Sequence, residues 1–148
     1  MMTFRHAGRD DVGVLAELNH QLIQDEGHRN QMTVPELKIR MTNWLAAKYR
    51  AVLFEQEEIV VAYALYRPEG NSTYLRQFFV RRDFRRRGLG RAAMKILLTE
   101  VLGASGRVYL DVLVNNTSGW AFWKAVGFED YAVTLEIVRP AGGRSSTL

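Results

Sequence analysis

The chain contains no cysteine in 148 residues. That excludes disulfides, thiolate metal sites and any acyl intermediate carried on sulfur. Its histidines are scattered at positions 6, 20 and 28, and His6 and His20 have no partner at metal-ligand spacing, so no metal is expected. No apolar stretch approaches the roughly 20 residues of a membrane span, and the opening MMTFRHAGRDD lacks the apolar centre of a signal peptide. No membrane association is expected, and the cytoplasm is the expected compartment. Low-complexity tracts and internal repeats are absent too, which leaves one domain over residues 1–140 and a flexible tail over 141–148.

With 47% hydrophobic and 24% charged residues, the composition is that of an ordinary globular domain. The net charge is only +4, but it is unevenly placed. Arg81 to Arg91 reads RRDFRRRGLGR, six arginines and two glycines in eleven residues. The positive field is therefore local, and a local field suits a small anion.

Periodicity orders the rest. MTFRHA alternates as a short strand, and Asp10 or Asp11 offers a cap for a helix with Leu15, Leu18 and Leu22 on one side. After the polar break DEGHRNQM, Thr33-Val-Pro-Glu36 is a capping box with proline in the first turn, opening a second helix marked by Leu37, Met41, Trp44 and Leu45. AVLFEQ, IVVAYALY and TYLRQFFV follow as three antiparallel strands joined by short turns. The basic turn then opens a helix with the stripe Leu89, Ala93, Ile96, Leu97 and Val101, closed by Gly103. RVYLDVLV reads as a strand, TSGWAFWKAV as a short helix and GFEDYAVTLEIV as one or two final strands. The expected class is mixed α/β, a mostly antiparallel central sheet with helices on both faces.

A glycine-punctuated turn between a strand and a helix is an anion site by construction. The helix start presents unpaired N–H groups and the positive end of its dipole. Gly88 and Gly90 let backbone approach a phosphate, and Arg85, Arg86, Arg87 and Arg91 can add charge-assisted hydrogen bonds. Neither Gly-x-x-x-x-Gly-Lys-Ser/Thr nor Gly-x-Gly-x-x-Gly is present, so the two better-known phosphate loops drop out. A solvated arginine surface is the plain alternative. Nucleic acid is not expected, because the charge is confined to one turn with no binding motif around it.

Arg85-Arg-Arg-Gly-Leu-Gly90 resembles the Arg/Gln-x-x-Gly-x-Gly/Ala signature of the GNAT superfamily of acyl-CoA-dependent N-acyltransferases. Asn116-Thr-Ser-Gly-Trp-Ala-Phe-Trp-Lys-Ala-Val-Gly-Phe128 is similar to the family's second motif, with the spacing from asparagine to Gly-Phe kept. The resemblance implies that backbone N–H groups of Arg86, Arg87, Gly88, Leu89, Gly90 and Arg91 bind the pyrophosphate of acetyl-CoA. It further implies that main-chain groups of Phe78, Phe79 and Val80 pair with the pantetheine arm and that Asn116 touches the cofactor. The implied activity is direct acetyl transfer to an amine acceptor, a small molecule rather than a protein; a non-catalytic acyl-CoA-binding module is the alternative, and homodimerisation is left open.

The acid and base are not supplied by the family pattern. Trp123 stands where many members have an acidic tyrosine, and an indole N–H is no useful acid, so core packing is the expected role. No carboxylate lies between Asn71 and Arg81, where some relatives carry a glutamate base. Asp111 is one candidate, either facing the acceptor or paired with an arginine. Glu26 and His28 are the others, with Asp25 and Glu26 as an acidic lining for the acceptor; the same loop reads equally as a solvated connection between helices.

Overall fold

The computed structural model describes residues 1–27, 29–103 and 106–140. His28 and the expected tail, residues 141–148, lie outside them. Strand β1 (Met2–His6) leads through a short 3₁₀ turn into α1 (Val12–Asp25), followed by α2 (Val34–Ala46). Strands β2 (Arg50–Gln56), β3 (Ile59–Glu69) and β4 (Ser72–Val80) come next, then α3 (Leu89–Ile96), β5 (Arg107–Tyr109) and α4 (Thr117–Ala125). The sheet order is β1-β2-β3-β4-β5, antiparallel except for the parallel β4–β5 pair.

Two cores sandwich the sheet, as expected of helices on both faces. On one side Leu15, Leu18 and Leu22 of α1 and Met41 of α2 meet Leu53, Tyr63, Leu65 and Phe79. On the other, Leu89, Ala93, Met94 and Leu97 cover Val52, Phe54, Ala62, Ala64 and Leu75. Strand β3 reads as an almost continuous apolar run because it is central and covered on both faces.

Local chemistry sets the ends. Thr33 Oγ1 accepts from the Glu36 N–H at 3.4 Å while Glu36 Oε1 accepts from the Thr33 N–H at 2.8 Å, completing the capping box. Asp11 stands at the start of α1, yet its carboxylate accepts from the Gly8 N–H at 2.7 Å and from both terminal nitrogens of Arg5 at 3.0 Å. It therefore ties β1 to the turn rather than capping the helix. After α3 the chain widens into one π-type turn, Leu97–Val101, before Gly103.

Three departures from the sequence reading bear on the site. Strand β5 stops at Tyr109 instead of Val114, since only Ser72–Tyr74 of β4 pair with it before the two diverge. Beyond Phe128 the described residues form no strand, although Tyr131, Val133, Leu135 and Ile137 alternate as one would; they are 84%, 74%, 89% and 81% exposed. Alternation makes a strand only where a neighbouring edge offers ladder bonds. Finally, β4 carries an extra residue: Leu65 faces Gln77 while Tyr66 faces Leu75, leaving Arg76 as a β-bulge.

Candidate active site

The basic turn is shaped by two residues in the left-handed region, Arg86 (φ 63°) and Gly88 (φ 73°). For arginine that conformation costs on the order of 1 kcal/mol, and successive N–H groups so arranged form an anion-binding concavity. Leu89, Gly90 and Arg91 precede the first helical bond, from the Ala92 N–H to the Gly88 carbonyl, so their N–H groups extend the same donor surface. Gly90 has a second duty. A Cβ there would sit 3.0 Å from the Phe122 ring, so its lack of a side chain lets α4 close on α3.

The expected phosphate arginines divide. Arg85 lies 2.5 Å from Asp25, and Arg82 reaches the same carboxylate at 2.9 Å. Arg87 stacks over Phe84, 5.2 Å from the ring centre, while Arg86 and Arg91 are exposed. Beside the turn, β4 and β5 part after Tyr74, which leaves the main chain of Phe78, Phe79 and Val80 without a β5 partner among the described residues. A free strand edge thus runs directly into the anion turn.

Asp25 and Glu26 end α1 next to each other, but one helical step is about 100°, so they face different surroundings. Asp25 belongs to the basic turn and not to the pocket expected for an acceptor. Glu26 turns inward: its Oε2 accepts from Asn116 Nδ2 at 3.3 Å, and the Asn116 Oδ1 caps α4 through the Gly119 N–H at 3.0 Å. Burial, and secondarily the Asp25 charge, push the Glu26 carboxyl up to about 7. Next to it Tyr63 is fully buried and donates its hydroxyl to Gln77 Oε1 at 2.8 Å; burial first, then the Glu26 charge, raise the phenol well above its ordinary value.

Asp111 lies past the end of β5 and accepts from the Tyr74 hydroxyl at 3.0 Å, so neither the arginine pairing nor a paired-strand position is realised. Trp123 packs edge-on against Phe78, Phe122 and Phe128 with ring centres 5.0–5.8 Å apart, the packing role expected of it. Tyr63, Asn19 and Arg40 escaped the sequence reading. Their signal was there: an asparagine inside the leucine stripe of α1, and a tyrosine inside an aliphatic strand.

A cleft of about 630 Å³ opens at the far end of the sheet, among Arg50, Tyr66, Asn71, Thr73 and Leu102. No carboxylate or histidine lines it, and it lies at the opposite end of β4 from the basic turn. Among the described residues, no group of three metal-ligating side chains comes together. No helix among them is long and apolar enough to cross a membrane.

The sequence matches the Acetyltransferase (GNAT) family over residues 17–128. No curated protein matches it significantly. Among solved structures, a "possible acetyltransferase" of Clostridium difficile 630 superposes with a TM-score of 0.76 at 18% identity, covering 96% of this chain and 99% of that one. A "predicted acetyltransferase" of Clostridium acetobutylicum, solved with acetyl-CoA, gives 0.71 at 20% identity, covering 93% and 96%. The aminoglycoside N-acetyltransferase AAC(6')-Iy in complex with CoA gives 0.70 at 16% identity, covering 95% and 96%.

Proposed function

The chain belongs to the GNAT acetyltransferase family, and from that premise we propose that it moves the acetyl group of acetyl-CoA directly onto the amine of a small acceptor, with Glu26 as the general base. The observation that carries the reading is the Glu26 carboxyl. It is half-buried at the end of α1, held by Asn116 and pushed up to about 7.

Acetyl-CoA would supply the activated acyl group. The left-handed turn at Arg86 and Gly88 and the N–H groups that open α3 fit its pyrophosphate, and the free main chain of Phe78 to Val80 fits its amide-bearing arm. A CoA-bound neighbour of the same fold supports this co-substrate. An amine with a pKa near ~10 arrives as an ammonium, so a base must take its proton before attack. A carboxylate titrating near 7 suits that step at neutral pH better than an ordinary glutamate, because its proton affinity is higher while about half of it is still ionised. Trp123 supplies no acid, and a thiolate whose conjugate acid titrates near ~8.5 leaves without one. The lack of any cysteine to hold the acyl group is consistent with direct transfer. We assign residues 1–140 to one catalytic domain and the activity to the cytoplasm.

Thiol release from acetyl-CoA across a panel of amines tests the reading. Glu26→Gln should lower kcat by roughly 10²–10⁴-fold, the scale of a lost general base, with the KM for acetyl-CoA little changed. If acetyl-CoA binds but no amine elicits thiol release, the chain is a binding module and the proposal fails.

A further inference from the structure

We infer that the acceptor is zwitterionic, a small amine that also carries a carboxylate, as an amino acid does; the inference rests on the acetyl-transfer reading and names the substrate class of that same site. It comes from a row of polar side chains that runs away from Glu26 between the helix pair and the sheet.

The row begins where Glu26 meets Tyr63 and Gln77. Asn19 lies two helical turns before Glu26, hence on the same face of α1, and its Oδ1 accepts from Arg40 of α2 at 3.2 Å. Arg40 lies over the Trp44 ring at 4.3 Å, and Arg76 lies over that same ring at 4.5 Å. Arg76 donates to the Tyr49 hydroxyl at 2.8 Å. The bulge in β4 is what brings Arg76 here: the extra residue places it and Gln77 consecutively on the helix-pair side of the sheet.

The chemistry of this row is polarised. At one end stands a carboxylate. At the other, two guanidiniums share one indole, both already oriented by neighbours within the protein. Between them, the Asn19 and Gln77 side chains are 0% and 2% exposed, and the amide nitrogen of each is buried without a hydrogen-bond partner. A buried N–H left without an acceptor costs about 1–3 kcal/mol, so these two, in a row that also holds cations, ask for acceptor oxygens. Like charge is also concentrated: burial, and then the Arg76 charge, push Arg40 down to about 10. An anion seated there would relieve that repulsion. Two planar guanidiniums match the two oxygens of a carboxylate. An amine presented to Glu26 with its carboxylate toward Arg40 and Arg76 brings acceptor oxygens to the buried Asn19 and Gln77 amides and negative charge to the two guanidiniums. A polycation such as an aminoglycoside does not.

The test compares matched acceptors with the wild-type protein: amino acids, their carboxamides, the amines left by removing the carboxyl group, phosphorylated amines such as phosphoethanolamine, and aminoglycosides. Each charge-assisted hydrogen bond contributes about tenfold or more, so kcat/KM for amino acids should exceed that for carboxamides and decarboxylated amines by roughly a hundredfold. Arg76→Gln should raise the KM for the amino acid by about ten- to a hundredfold while the KM for acetyl-CoA stays put, and Arg76→Lys should recover part of the loss. Equal kcat/KM with and without the carboxylate would overturn the inference while leaving acetyl transfer standing. Preference for phosphorylated amines or aminoglycosides would overturn it as well. No transfer to any amine would instead remove the acetyl-transfer reading beneath it.

Discussion

Glu26 makes the most demanding prediction, because its role in transfer and its effect on stability have opposite signs. Its carboxyl is raised from 4.5 to about 7, chiefly by burial. A group whose folded pKa lies above its unfolded one contributes stability that is fully present below the unfolded value, here near 4.5. That contribution is lost as pH rises through about 7. At full burial such a rise corresponds to roughly 3 kcal/mol; the side chain is only half-buried, and solvent screening brings the expected effect to about 1–2 kcal/mol. Glu26→Gln removes the titration and keeps an oxygen for Asn116 Nδ2 to donate to. Urea unfolding of both proteins at pH 4.5 and pH 8 then gives a difference of differences in which the three histidines, common to both, cancel. The variant should gain about 1–2 kcal/mol relative to wild type between the two pH values while losing activity at pH 8, where the wild-type carboxylate is ionised. A difference independent of pH to within about 0.5 kcal/mol would mean that Glu26 is solvated like any surface carboxylate, and its place as base would fall with that result.

Acetyl-CoA at about a hundred times its Kd should stabilise the protein by roughly 2.7 kcal/mol, seen as a rise of several degrees in Tm; no rise at millimolar concentration would remove the phosphate site. Gly88→Val forces a β-branched residue to φ 73° and intrudes on that site, so both Tm and acetyl-CoA affinity should drop. Gly90→Ala should cost about 1–2 kcal/mol through the contact with Phe122, whether or not acetyl-CoA is present; an unchanged Tm would show that α4 yields freely. Trp123→Phe should keep kcat within about tenfold, and a loss beyond about a hundredfold with the fold intact would make the indole more than packing.

The helix pair, the three-strand meander and the strand-turn-helix were all legible because each depends on local signals: the capping box at Thr33, the apolar run of β3, the glycines after Arg87. What was not legible depends on partners distant in sequence. RVYLDVLV alternates over its whole length, yet only Arg107–Tyr109 find β4 within reach. The final GFEDYAVTLEIV has the pattern of a strand, yet among the described residues it pairs with no edge of the sheet. For the site, the anion turn could be read from residue types alone, since main-chain donors carry it. The acceptor side could not, because its polarity arises from which way neighbours turn. Asp25 and Glu26 are adjacent in sequence, and only the helix end tells that one faces Arg82 and Arg85 while the other faces Asn116.

The bulge at Arg76 also bears on how such a site changes over generations. Side chains on a strand are counted off in twos, and β4 holds one residue more than the count requires between Leu75 and Gln77. Removing that residue would bring Leu75 and Gln77 into step opposite Tyr66 and Leu65, with Phe78, Phe79 and Val80 keeping their present partners. The sheet would close more regularly than before, and the guanidinium would be gone. The acceptor preference inferred for this chain is thus exposed to a kind of genetic change that the hydrophobic core does not feel: the loss or gain of a single codon, rather than the exchange of one amino acid for another.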